Sequence, residues 1–209
     1  MSALFYKVVY RLGFTPWERL ETLPAARQIM AMIDREQAGR QPPYGAALDI
    51  GCGTGVWSVR LAKRGWQVTG VDLVSKAVQA ARKRADDARV DVRFIQGDIT
   101  AIQPADVGTG YRLLLDFGTV HGLDPAKRVA VGRFVNAVAA PDATLLMYAL
   151  APRKRGMLPD GADRAELETI YPDWQVVDEL PFDPSGLPES TRKDDPRWYR
   201  LVRRGTEHG

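Results

Sequence analysis

A chain of 209 residues is one domain of ordinary size, long enough to bury a proper core. Its 29 basic and 26 acidic residues leave a net charge of +3 spread along the chain, so no basic block marks a nucleic-acid partner. One cysteine excludes an internal disulfide and fits a reducing cytoplasm, and two histidines are too few soft ligands for a zinc site, so no metal is expected.

The first fourteen residues, MSALFYKVVYRLGF, are apolar and basic. Lys7 and Arg11 interrupt them and no small-residue cleavage site follows, so they do not read as a secretory signal. No apolar run approaches the roughly 20 residues of a membrane helix, and no integral membrane segment is expected. Alanine and methionine spacing over 25–33 predicts a helix, ended by the glycine- and proline-rich stretch 39–45. Strands are then predicted near 46–50, 66–71, 91–96, 111–117 and 142–150, with helices near 55–64, 75–87 and 124–139 between them. Breakers over 101–110 leave room for at most a vestigial helix. A helix over 163–170 leads to strands at 174–180 and 198–203, joined directly. Such alternation gives an α/β fold whose mostly parallel sheet is covered on both faces. Arg82, Lys83 and Arg84 are followed at once by Asp86 and Asp87 and read as a solvated helix face.

The densest signal is LDIGCGTGVW, residues 48–57. Leu48, Asp49 and Ile50 close a buried strand, and helical spacing resumes at Val56. Gly51, Gly53 and Gly55 therefore turn the chain between a strand and a helix N-terminus, where backbone can approach a ligand closely. The next strand ends on Asp72, whose carboxylate can accept from both hydroxyls of a ribose. Ser75 is the better N-cap for the helix that follows, which leaves Asp72 to a ligand. A dinucleotide site wants G-x-G-x-x-G/A, but counting from Gly51 that last small position falls on Val56. A nucleoside-containing cofactor fits, and NAD is not expected.

The pattern formed by Asp49, Gly51, Gly53 and Gly55 resembles motif I of the class I S-adenosylmethionine-dependent methyltransferases. Gly70-Val71-Asp72-Leu73, Gly97-Asp98-Ile99 and Leu113-Leu114-Leu115-Asp116-Phe117-Gly118 are similar to its later motifs in order, and the resemblance spans residues 46–204. It implies a Rossmann-like fold with a seven-stranded, mostly parallel sheet, and S-adenosylmethionine as cofactor. The glycine loop, with Asp49, would pass beneath the amino-acid part. Asp72, with Leu73 beside it, would hold the ribose. Asp98 would meet the adenine amine, Ile99 would pack on its ring, and Asp116 would lie beside the methyl. Thr15-Pro16-Trp17-Glu18 is similar to the N-terminal lid of thiopurine and related small-molecule methyltransferases, which makes Trp17 a cofactor contact. The domain organisation implied is one methyltransferase domain, with 1–40 as helical lid and 46–209 as catalytic core.

The acceptor must be read from what surrounds these motifs. Gln41-Pro42-Pro43-Tyr44 mimics the N/D-P-P-Y/F signature of amino-directed enzymes but precedes the first strand, so it reads as a loop. A small-molecule substrate is favoured over nucleic acid. His121 is the one candidate general base, since imidazole titrates near neutrality. Tyr10 and Arg153 are the candidate substrate contacts. Arg153, Lys154 and Arg155 beside apolar residues suit an anionic amphiphile, a fatty or aromatic carboxylate, whose O-methylation needs no base. Methylation of a hydroxyl, of sulfur or nitrogen, of protein or RNA, and loss of catalysis remain as alternatives.

Overall fold

The computed structural model describes residues 22–153, 160–186, 189 and 193–204. Tyr10, Trp17 and the cationic residues 154 and 155 lie outside these, as does most of the expected lid. Seven strands form one sheet: β1 (Gly45–Ile50), β2 (Trp66–Asp72), β3 (Val92–Gln96), β4 (Tyr111–Phe117), β5 (Ala139–Ala149), β6 (Trp174–Pro181) and β7 (Arg197–Arg203). Their order is β3-β2-β1-β4-β5-β7-β6. Only β7 runs antiparallel to its neighbours β5 and β6, as the direct β6–β7 connection requires. The described helices include α1 (Ala25–Gln37), α2 (Val56–Lys63), α3 (Ser75–Ala88), α4 (Pro104–Val107), α5 (Pro125–Val138) and α6 (Arg164–Ile170), with a 3-10 turn at Val120–Gly122.

Strand β4 shows why the sheet is covered on both sides. Leu113, Leu114 and Leu115 are all fully buried, alternating between two cores. One core joins Leu114 to Val131 and Val135 of α5, and the other joins Leu113 and Leu115 to Ile29 and Ile33 of α1. Helix α1 thus packs into the core. It is also tied to the sheet by polar side chains: Arg200 Nε donates to Glu36 Oε1 at 2.6 Å, and Thr144 Oγ1 to Glu36 Oε2 at 2.7 Å. Truncating Ile29 or Ile33 to alanine would cost about 2–5 kcal/mol, the range for buried aliphatic side chains.

Strand β5 begins at Ala139, earlier than the expected 142. Tyr111 already pairs with Ala139, and a register shift before Leu113 absorbs the exposed Pro141 and Asp142. The breakers of 101–110 leave a single turn, α4, fixed by reciprocal bonds between Gln103 and Asp106. From β1 the chain first builds outward through β2 and β3, then returns to place β4 on the other side. This reversal opens a crevice at the carboxyl ends of β1 and β4, where open α/β sheets bind ligands.

Candidate functional site

The glycine loop occupies that crevice. Gly51 and Gly55 have φ of +68° and +77°, the left-handed region that suits glycine. Space demands glycine too: a Cβ on Gly51 would stand 2.0 Å from Thr119 Oγ1, and one on Gly55 2.8 Å from Phe94 Cζ. Thr119 Oγ1 in turn donates to the Ile50 carbonyl at 3.1 Å, locking the loop after β4 onto the end of β1. The loop also spends its own donors. Gly51 and Cys52 N–H both reach the Val71 carbonyl (2.9 and 3.0 Å), and Gly55 N–H reaches that of Cys52 (2.9 Å). Gly53 N–H donates to Asp72 Oδ2 at 2.9 Å. A loop so committed is preformed.

Asp72, only 9% exposed, stands at the tip of β2 and accepts from Val74 N–H (2.8 Å) as well as Gly53. Each oxygen retains acceptor capacity, enough for two vicinal hydroxyls. Burial pushes its carboxyl above the ordinary value, and the two backbone N–H bonds pull it back. Ser75 is not the cap expected for α3: Val74 occupies the N-cap position without a side-chain bond, so Asp72 also serves the entry to that helix. Leu73 beside it is half-buried.

Asp49 lies beneath the loop, 3% exposed, and accepts from the Ser58 hydroxyl. Burial carries its pKa to about 7, against the Ser58 bond, and nearby Asp72 and Asp116 add to the rise. Asp116 is fully buried and faces its own loop: Oδ1 accepts Thr119 N–H at 2.7 Å and Oδ2 accepts Val120 N–H at 3.1 Å. Burial moves it to about 6 despite those bonds. Its carboxylate shapes the turn after β4, where the sequence suggested a ligand contact. Asp98 is exposed at the tip of β3, with Oδ1 taking the N–H (2.9 Å) and hydroxyl (2.7 Å) of Thr100. It borders an open cavity of about 490 Å3 lined also by Arg93, Ile95, Gly97 and Ile102. Ile99 belongs to the main core.

His121 is buried in the 3-10 turn, and its Nδ1 accepts the main-chain N–H of Leu150 at 3.1 Å. A neutral imidazole that accepts at Nδ1 carries its proton on Nε2. The Nε2 edge lies toward Gly118, 3.5 Å from where a Cβ on that glycine would sit. The His121 carbonyl is held by Arg128 Nη2 (2.8 Å) and Gly161 N–H (3.3 Å). Arg128 also donates to the Leu123 carbonyl at 2.8 Å and pairs with Glu166. This buried cation, which fixes the candidate catalytic loop, was invisible in the sequence as one more basic residue of an amphipathic helix. Arg84 was missed likewise. The Arg82–Arg84 face is not simply solvated: Arg84 Nε donates to the Thr54 carbonyl at 2.9 Å, clasping the glycine loop from behind, and Arg82 donates to the Phe94 carbonyl at 2.9 Å.

Beside His121 the strand ends carry aromatic rings. Register places Phe117, Tyr148 and Trp198 side by side across β4, β5 and β7. Arg153 follows β5 as expected, but Asp194 pairs with it at 3.0 Å, which reduces its pull on a substrate anion. The 41–44 stretch precedes β1, at the amino-terminal end of the strand, opposite the glycine loop, so it is a loop remote from the site. No helix among the described residues is long and apolar enough to cross a membrane.

Comparison with known proteins agrees with this geometry. Residues 47–142 match a family described as a methyltransferase domain. Indolepyruvate C-methyltransferase of Streptomyces griseus is 48% identical over 64 residues, 29% of this chain and 20% of that one. The chain spans only 20–27% of the length of the first curated relatives it matches. Among solved structures, one described by the conversion of a disulfide bond into a thioacetal group during echinomycin biosynthesis superposes with a TM-score of 0.72 at 23% identity, covering 99% of this chain and 94% of that one. The 1,6-didemethyltoxoflavin-N1-methyltransferase of Burkholderia thailandensis, with bound S-adenosylhomocysteine, gives 0.72 at 18% identity, covering 96% and 86%. Below 25% identity these two speak for the fold alone, and the family match, which takes in the glycine loop and the tips of β1 to β4, makes this stretch of the chain similar to methyltransferase domains.

Proposed function

We propose that this chain transfers the methyl group of S-adenosylmethionine to a small, largely apolar acceptor, through an oxygen that arrives already ionised, a carboxylate above all. The residues present suit the cofactor: Asp72 retains acceptor capacity for a ribose, and its bond from Gly53 N–H holds the preformed glycine loop beside it. When bound, the cofactor supplies a sulfonium that already activates its methyl for in-line displacement, so the chain's part is to bind, orient and exclude water.

The observation that carries the acceptor chemistry is the Leu150–His121 bond. With Nδ1 spent on a main-chain donor, the neutral imidazole carries its proton on Nε2 and has no lone pair left to deprotonate a neutral acceptor, whereas an ionised acceptor needs no base. Asp116, committed to its own turn, is no better placed as a base. The comparisons leave this choice open. The family match ends at residue 142, before most of β5 and all of β6 and β7, and the matched proteins are named for C-, N- and O-methylation. The test is a screen of carboxylic acids, phenols, amines and thiols with methyl-labelled cofactor, beside calorimetry with S-adenosylhomocysteine and NAD. Turnover on acids supports the reading. Turnover confined to thiols, amines, protein or RNA would defeat it, and NAD binding at equal strength would remove its foundation.

A further inference from the structure

Resting on that reading of the site, we propose that Thr119 is a positioning residue that couples the two loops of the crevice. Through its hydroxyl, a cofactor seated on the glycine loop orders the turn after β4 before the acceptor arrives. The two loops leave adjacent parallel strands at the same level, since Ile50 of β1 pairs with Asp116 of β4. Each is anchored elsewhere. The glycine loop hangs on β2, through the Val71 carbonyl and the Asp72 carboxylate, whereas the turn after β4 hangs on Asp116. Thr119 Oγ1 crosses between them, reaching the Ile50 carbonyl at 3.1 Å from 69 positions away in the chain.

The polar groups of Thr119 each have a different partner. Its N–H goes to Asp116 Oδ1 at 2.7 Å, its carbonyl accepts Gly122 N–H at 3.1 Å, and its hydroxyl reaches β1. The side chain also rests on the first glycine of the loop. A Cβ on Gly51 would lie 3.3 Å from Thr119 Cβ and 3.5 Å from its Cγ2. A β-branched side chain has few χ1 rotamers, so it does not absorb a shift of Gly51 by turning, and movement of one loop reaches the other. Order imposed by the cofactor on one side lowers the freedom the acceptor must remove on the other, which is positive coupling without a change of shape. Gly118, Thr119 and Val120 N–H groups are bonded to Asp116, and those of Gly122 and Leu123 to carbonyls within the turn. Their exchange with solvent therefore reports opening of the turn.

The test is hydrogen exchange of the full chain, followed by mass spectrometry, with and without saturating S-adenosylhomocysteine. Peptides covering 48–57 and 117–123 report the two loops separately. In the parent, exchange should slow in both when the ligand binds. Thr119→Val keeps the branched shape and removes the hydroxyl. In it the slowing at 48–57 should persist, while that at 117–123 should shrink about three- to tenfold, the worth of one neutral hydrogen bond. Thr119→Ala should behave as the valine variant, and Thr119→Ser should restore the parent's response, which a role in packing alone would not. Slowing at 48–57 without any at 117–123 in the parent overturns the proposal, as does slowing at 117–123 that survives in the valine and alanine variants. Failure of both these variants to fold overturns it too, since Thr119 is then a structural residue. A parent that binds no S-adenosylhomocysteine by calorimetry overturns the methyltransferase reading itself, and the coupling with it.

Discussion

The main-chain N–H of Leu150 donates to Nδ1 of His121 at 3.1 Å, and this one bond decides which proton the imidazole carries. To act as a base through Nε2 the ring would need the other tautomer, leaving the Leu150 N–H facing another N–H in a buried setting. A buried donor without its partner costs about 1–3 kcal/mol. His121→Gln preserves a donor but no base, whereas His121→Ala removes both. With a carboxylic acid acceptor, kcat should stay within about tenfold of the parent in both variants, with no near-neutral limb in the pH profile. The acceptor KM should rise about tenfold or more in the alanine variant, since a hydrogen bond to a charged group is worth about 1.5–3 kcal/mol. A fall in kcat of about 10²–10⁴ in the glutamine variant would show base catalysis instead.

Arg128 should control the same site from behind. Its guanidinium joins the carbonyls of His121 and Leu123 to Glu166, across the packing of α5 on α6. Arg128→Met leaves two carbonyls short of a donor and Glu166 without its cation. Urea unfolding should show a loss of about 3 kcal/mol, the lower end for a broken buried pair because Glu166 keeps partial contact with water. Glu166→Gln should cost less and leave activity nearly intact. Equal losses for the two would mean that Arg128 acts only through the ion pair and does not position His121.

Asp49 and Asp116 give the apo protein a pH dependence of defined sign. Burial raises both folded pKa values, to about 7 and about 6, whereas an unfolded aspartate titrates near roughly 3.9. Between these limits the folded state binds more protons than the unfolded one, so stability falls as pH rises from about 4 to about 7. Asp72, also raised, adds in the same direction. The cationic sulfonium favours the ionised carboxylates, so stabilisation by S-adenosylmethionine should grow with pH while that by neutral-sulfur S-adenosylhomocysteine grows less. Melting curves from pH 5 to 8 check this, and Asp49→Asn should flatten the apo profile. A melting temperature that climbs over this range in the parent would show that these carboxylates are ionised throughout.

The parts legible in the sequence were those written in adjacent residues. The glycine loop, the Asp72 strand tip and the alternation of strand and helix each lie within about ten residues, where spacing alone carries the information. What escaped depends on partners brought together by folding. Arg128 and Glu166 are 38 positions apart, and Arg84 reaches Thr54 across 30. The row of Phe117, Tyr148 and Trp198 needs the register of β4, β5 and β7, which no local pattern encodes. Asp116 has a duty the sequence did not show, for a related reason: an acid at a strand tip looks the same in sequence whether or not it also accepts the N–H groups of the loop that follows. Asp72 and Asp116 differ only in where the following loop turns.

That difference makes Asp72 the residue whose replacement should speak most directly to the cofactor. Its oxygens already accept Gly53 and Val74 N–H groups, so two duties converge on one carboxylate. Asp72→Asn keeps one oxygen but turns an NH2 toward one of those backbone donors. Calorimetry should show affinity for S-adenosylhomocysteine reduced at least about tenfold, because a charge-assisted bond to the ribose is lost and the loop is loosened. Thermal stability of the apo protein should also fall, by about 1–3 kcal/mol for the unpaired donor. Asp72→Ala removes both acceptors and should be worse on both counts, whereas Asp116→Asn should act mainly on stability, through the turn at Thr119 and Val120. Unchanged cofactor affinity in both Asp72 variants, with a lowered melting temperature, would reduce Asp72 to a cap for α3. An Asp116 variant that loses cofactor affinity while keeping its stability would show that acid to be a ligand contact.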